Sequence, residues 1–223
     1  SAPYKTLYCD ERVSDKKAQS LYHQAIDRPG SISSNEQKLL VDLYDAEIRY
    51  LDERVGAFLN ALNERNLLDR SLIVFTADHG DAFGERGYYE HPRYLHPELV
   101  QVPLVVSSPA ETGVVDAAVS TLDVEPTIAD FSDLNGDRYP GKSLLDVASN
   151  PPKHADRVVF SQARSEASSV RRYGAFRDGE TLRAEVTSDN SISEIEGTND
   201  LKVPLLNHVA SRSGVEPDSS PED

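Results

Sequence analysis

The chain has 223 residues, 38% hydrophobic and 27% charged, enough for one substantial core under a highly charged surface. A net charge of −15, with only 7 Lys and 16 Arg among the basic residues, argues against nucleic-acid or anionic-membrane partners and fits a salt-adapted, halophilic surface. No stretch approaches the roughly 20 apolar residues of a membrane span, and the single cysteine, Cys9, excludes an intrachain disulfide. The start, Ser1-Ala2-Pro3-Tyr4-Lys5, has neither Met nor an apolar signal region, so the chain is expected to be processed or cut from something longer, and no compartment is legible.

In chain order, residues 1–35 read as a connector with one short helix over Asp15 to Ile26. Residues 36–65 carry the clearest periodicity. Leu40, Leu43, Tyr44, Ile48, Leu51, Val55, Phe58, Leu59 and Leu62 recur at three- and four-residue spacing, one apolar stripe on a helix. Ser34 with Gln37 fits a capping box at its start, and Asn66 a left-handed stop before Leu67 folds back.

The period then changes. Leu72-Ile73-Val74-Phe75-Thr76 is a short, branched, apolar run, expected to be a strand buried on both faces as in a parallel sheet. Residues 81–98 read as a long loop, closed by a short helix near Pro97 to Gln101. Pro103 to Val106 is a second buried strand, Val119 the start of a short third, and Leu122 to Leu134 a helix with Pro126 early, where proline is tolerated. After Gly141 and Pro151-Pro152 come three β-prone runs, Arg157 to Gln162, Ser169 to Phe176 and Thr181 to Val186, with Asp178-Gly179 as a hairpin signal. Residues 151–212 are therefore expected to form a small antiparallel subdomain with a helix. Residues 36–150 form an α/β domain with a partial mixed or parallel sheet, and 213–223 a disordered acidic tail.

The strand over Leu72 to Thr76 ends at Asp78-His79-Gly80. Ligands in open α/β sheets gather at the carboxyl ends of strands. A carboxylate and an imidazole at such a point ligate one cation, or act as base and orienter, or simply hold a strand-exit turn by hydrogen bonds. Spacing alone leaves all three open.

The surrounding text is more specific. Tyr44-Asp45-Ala46-Glu47-Ile48, Asp52, Ile73 to Gly80, Gly84-Glu85-Arg86-Gly87, Val102 to Val106, Leu122 to Thr127 and Gly141 to Leu144 occur in that order. Over about Leu39 to Leu145 this resembles the sulfatase family of the alkaline phosphatase superfamily, in its carboxyl-terminal part. The resemblance implies an alkaline-phosphatase-like fold and hydrolysis of a sulfate ester of a small molecule or glycan. It implies a divalent cation, calcium first and magnesium or manganese next, on Asp78 and His79. It implies that His91 contacts the sulfate or the leaving oxygen and serves as the acid, with Arg86 and His96 as further anion contacts. The pattern departs from the family in Arg86, in Glu90-His91-Pro92, in His96-Pro97-Glu98 and in Gln101. The Cys/Ser-x-Pro/Ala-x-Arg motif that yields the formylglycine nucleophile is not in these 223 residues. Three readings follow: the carboxyl-terminal part of a sulfatase, a related phosphonate or phosphodiester hydrolase, and a degenerate non-catalytic domain. The first implies association with a missing amino-terminal half, or self-association through the apolar surface left bare.

Overall fold

The computed structural model describes residues 4–9, 13–108, 113–134, 138–165 and 169–213. The stretch Glu216 to Asp223, expected to be disordered, lies outside them. The chain divides into two compact units, Ser1–Ser71 with His79–Pro92, and Leu72–Asp78 with Arg93–Asp223. Among the described residues no helix is long and apolar enough to cross a membrane.

The first unit is built on helices α1 (Lys5–Tyr8), α2 (Asp15–Asp27) and α3 (Ser34–Asn63). Leu21 and Ala25 of α2 bury themselves against Leu40 of α3, with Ile32, Leu39, Phe83 and Tyr89 around them. The helix α3 starts one residue earlier than the expected capping box. Ser33 is the cap: its amide donates to Glu36 Oε2 at 2.9 Å, and the Glu36 amide donates back to Ser33 Oγ at 3.4 Å. A carboxylate answers the cap more strongly than the Gln37 amide would. Gln37 is used elsewhere, donating from Nε2 to the Phe83 carbonyl at 2.5 Å. The helix stops as expected. Asn66 takes φ 53°, Leu67 N donates to Leu62 O at 3.0 Å and Asn66 N to Asn63 O at 2.9 Å, a Schellman ending. The middle of the apolar stripe is open: Ile48, Leu51 and Phe58 are 50%, 51% and 60% exposed.

A short ribbon completes this unit. Strands β2 (Ala82–Phe83) and β3 (Tyr89–Glu90) pair antiparallel inside the stretch expected to be plain loop. Gly84 at φ 97° and Gly87 at φ 78° make its turn, and the Gly84 amide donates to the Tyr88 carbonyl at 2.9 Å. A Cβ on Gly84 would sit 2.8 Å from the Tyr89 hydroxyl, so the close approach requires glycine.

In the second unit, β1 (Ile73–Thr76) pairs antiparallel with β4 (Leu104–Ser107), Phe75 opposite Val105. The expectation of parallel strands buried on both faces is corrected here. Phe75 is 38% and Val105 59% exposed, and β1 and β4 pair only with each other among the described residues. The short helix α4 (Pro97–Val100) lies where expected. Val119 starts no strand: its neighbour Ser120 caps the 3-10 turn Thr121–Asp123, which runs into α5 (Val124–Phe131).

Helix α6 (Leu144–Ser149) packs on α5 through a buried hydroxyl: Thr127 Oγ1 donates to the Asp123 carbonyl at 2.5 Å and accepts from Leu144 N at 2.8 Å. A four-stranded antiparallel meander follows, β5 (Val159–Arg164), β6 (Arg171–Arg177), β7 (Glu180–Val186) and β8 (Ile192–Gly197), and then α7 (Lys202–Ser213). Asp178 at φ 42° and Gly179 at φ 78° form the expected hairpin turn. Tyr173 and Ala175, then Leu182, Ala184 and Val186, alternate onto one face. Leu201, Leu205 and Val209 recur every four residues and cover it.

Candidate active site

The site grows from the register of the β2–β3 ribbon. Ala82 stands opposite Glu90, so the residues just outside that pair, Asp81 and His91, meet at the open end of the ribbon. His91 Nδ1 lies 3.1 Å from Asp81 Oδ1. His79, two residues before Asp81, stacks on His91 with ring centroids 4.1 Å apart and planes 29° off parallel. One ligand atom from each of His79, Asp81 and His91 falls within 4.8 Å of the other two.

The hydrogen bonds define the imidazoles. His79 Nδ1 lies 3.0 Å from the Gly80 carbonyl, which can only accept, so Nδ1 carries the proton and Nε2 the lone pair. A carboxylate oxygen likewise accepts, so His91 holds a proton on Nδ1. Asp81 is half-buried while both histidines are exposed. Two nitrogens and one carboxylate oxygen are a donor set that can hold a divalent transition ion. Calcium, which takes six to eight oxygens, would need further ligands.

Of the residues singled out from sequence, the structure brings His79 and His91 together. Asp81 joins them and escaped the sequence reading. Its signal was present in Asp78-His79-Gly80-Asp81, but the hairpin that carries His91 back to it spans only two residues per strand. Asp78 is exposed, two residues past the end of β1. Arg86 is exposed at the tip of the ribbon, between Gly84 and Gly87. His96 belongs to the second unit. There its carbonyl starts α4, accepting from Leu99 N at 2.9 Å, and its ring lies 5.7 Å from that of Tyr94. With Tyr94, Arg172, Arg183 and Glu185 it lines a cavity of about 180 Å³. Cys9 is buried at 7% exposure and takes no part in the site.

The Sulfatase family model matches residues 4–134. Over 93 residues the chain is 39% identical to the choline-sulfatase of Rhizobium meliloti (strain 1021), which covers 41% of this chain and 18% of that protein. Among solved structures it resembles BT1596, a 2-O GAG sulfatase, at TM-score 0.68 and 16% identity, over 99% of this chain and 52% of that one. It also resembles the phosphonate monoester hydrolase SpPMH from Silicibacter pomeroyi, at TM-score 0.63 and 18% identity, over 80% of this chain and 41% of that one. Both likenesses establish the alkaline-phosphatase-like α/β fold. The chain spans about half the length of these structures, and its match covers less than a quarter of the curated relative.

Proposed function

This chain belongs to the sulfatase family, matched over residues 4–134, and on that premise we propose that it is the carboxyl-terminal part of a metal-dependent hydrolase of sulfate monoesters. The observation that carries the reading is the convergence of His79, Asp81 and His91 just beyond the strand exit of a sulfatase sequence. Asp78 and His79 are assigned to the cation, which when bound draws electron density from the sulfate oxygens. Asp78 and His79 supply one oxygen and one nitrogen, so calcium, with magnesium or manganese next, needs further oxygen ligands to complete its shell.

His91 is the proton donor to the leaving oxygen. With Asp81 accepting from Nδ1–H, the proton His91 gives up is the one on Nε2, so the donating form is the doubly protonated imidazolium. Arg86 is assigned to the sulfate, as is His96. The nucleophile must come from a Cys/Ser-x-Pro/Ala-x-Arg segment outside these 223 residues, so this chain alone is expected to be inactive. The substrates are sulfate esters of small molecules or glycans.

A second reading, hydrolysis of phosphonate or phosphodiester bonds, is favoured by the likeness to the phosphonate monoester hydrolase fold. Sulfate and phosphate esters differ mainly in charge, and the residues assigned here serve either. Rates of the full-length protein on an aryl sulfate and on a matched aryl phosphodiester decide. The sulfatase reading expects faster turnover of the sulfate; preferential turnover of the phosphodiester overturns it.

A further inference from the structure

His91, read above as the proton donor, leaves a very short strand. The ribbon that carries it has two residues on each side, and an isolated two-stranded pair is marginal in water. Contacts from outside the ribbon must therefore hold its end still. Glu90, the last residue of β3 and the neighbour of His91, takes φ 67°. A residue with a Cβ rarely enters that region, and such conformations persist at functional sites where surrounding contacts impose them.

A hydroxyl from α2 reaches this residue. Tyr22 Oη donates to Glu90 Oε1 at 2.7 Å. Its helix neighbours Leu21 and Ala25 are buried against Leu40 of α3, so the hydroxyl is presented from a fixed element. Partial burial, followed by the Glu90 bond, pushes the phenol's pKa up to about 12, and it stays a donor at neutral pH. The opposite strand is held from α3, by Gln37 Nε2 on the Phe83 carbonyl at 2.5 Å.

The direction in which the chain leaves Glu90 decides where His91 goes. With Glu90 left-handed, His91 Nδ1 comes 3.1 Å from Asp81 Oδ1 and its ring stacks on His79 at 4.1 Å. An extended Glu90 would send His91 on another course, away from both. We propose that Tyr22 is a positioning residue for His91: its hydrogen bond keeps Glu90 left-handed, and so keeps the imidazole on Asp81 and His79. The catalytic consequence rests on the reading of His91 as proton donor; the geometry does not.

Three variants of the full-length protein separate the hydrogen bond from the conformation. Tyr22→Phe removes the donor and Glu90→Ala the acceptor. Glu90→Gly removes the acceptor together with the steric cost of the backbone. Tyr22→Phe and Glu90→Ala are each expected to lower kcat on an aryl sulfate about tenfold with KM within about twofold, since His91 acts only as the leaving bond breaks. Glu90→Gly reaches the same φ freely and is expected to hold turnover within about threefold of wild type. Hydrogen exchange read by mass spectrometry on the same proteins reports the geometry without any substrate. Tyr22→Phe is expected to speed exchange over residues 81–91 about tenfold. The buried face of α7, Leu201, Leu205 and Val209, should exchange as in wild type. Unchanged exchange over 81–91 in Tyr22→Phe, or equal kcat losses in Glu90→Ala and Glu90→Gly, overturns the proposal. A full-length protein that cleaves no sulfate ester removes the sulfatase reading, and the exchange result still decides whether Tyr22 holds the ribbon.

Discussion

Asp123 is fully buried, and its carboxylate is answered on both oxygens. Arg157 binds it in a fork at 2.8 and 2.6 Å, Lys142 N donates to Oδ1 at 2.8 Å, and Ser120 N to Oδ2 at 2.8 Å. One side chain thus ties the start of α5 to the Gly141-Lys142 turn and to the approach to β5. Gly141 sits at φ 101°, where a Cβ would come 2.5 Å from the Leu122 carbonyl, so only glycine lets this turn close. Asp123→Ala leaves the Arg157 charge and two amides without their acceptor, and should cost about 3–5 kcal/mol in chemical denaturation. A loss below about 1 kcal/mol would show the pair to be marginal.

His208 supplies a pH dependence. Its ring stacks on Phe160 at 4.2 Å and 3°, and burial, then Arg212, holds its pKa below the usual 6.5. The folded state therefore binds this proton less readily than the unfolded one. Stability from this group is complete above about pH 6.5 and is lost as pH falls through that value toward the lower folded pKa. Thermal melts across this range should show the decline in wild type and a flatter profile in His208→Gln; identical profiles would refute the assignment.

At the scale of elements, caps and periodicity account for most of the order. Ser33→Ala removes the Oγ acceptor of the capping box and should cost roughly 1 kcal/mol, read from the urea midpoint of unfolding. A shift of the same size in Ser34→Ala would place the cap where the sequence first suggested it. The long stripe of α3, the Asn66 stop and the Asp178-Gly179 turn were all legible, because each is written in local spacing or in one backbone conformation. The Leu122-Asp123 and Gly141-Lys142 landmarks were legible as text but not in meaning: their bond is long-range, and its partner Arg157 comes later still. Strand β8 was missed because Ile-Ser-Glu-Ile-Glu-Gly is an edge strand exposed at every position but its first, with its two isoleucines three apart and so no alternation to read. In the site, His79 and His91 were legible through family resemblance. Asp81 was not, since only the two-residue ribbon pairing turns a ten-residue separation into 3.1 Å.

Over the molecule as a whole, apolar surface remains bare in both units. Ile48, Leu51 and Phe58 line the open part of α3, and Phe75 with Val105 marks one face of the β1–β4 pair. An isolated two-stranded pair is marginal in water, and apolar patches left exposed drive association. The 223-residue chain alone, 24.6 kDa, should therefore scatter light as a dimer or larger species at micromolar concentration. A monodisperse monomer would count against its being one part of a larger fold.

The account rests on the strand exit of a sulfatase carrying its cation. The most direct test is sulfate release from an aryl sulfate by the full-length protein bearing His79→Ala, with bound divalent metal measured on the same sample. Loss of at least about a hundredfold in rate, together with loss of metal, is the predicted result. Wild-type turnover with wild-type metal content would contradict it.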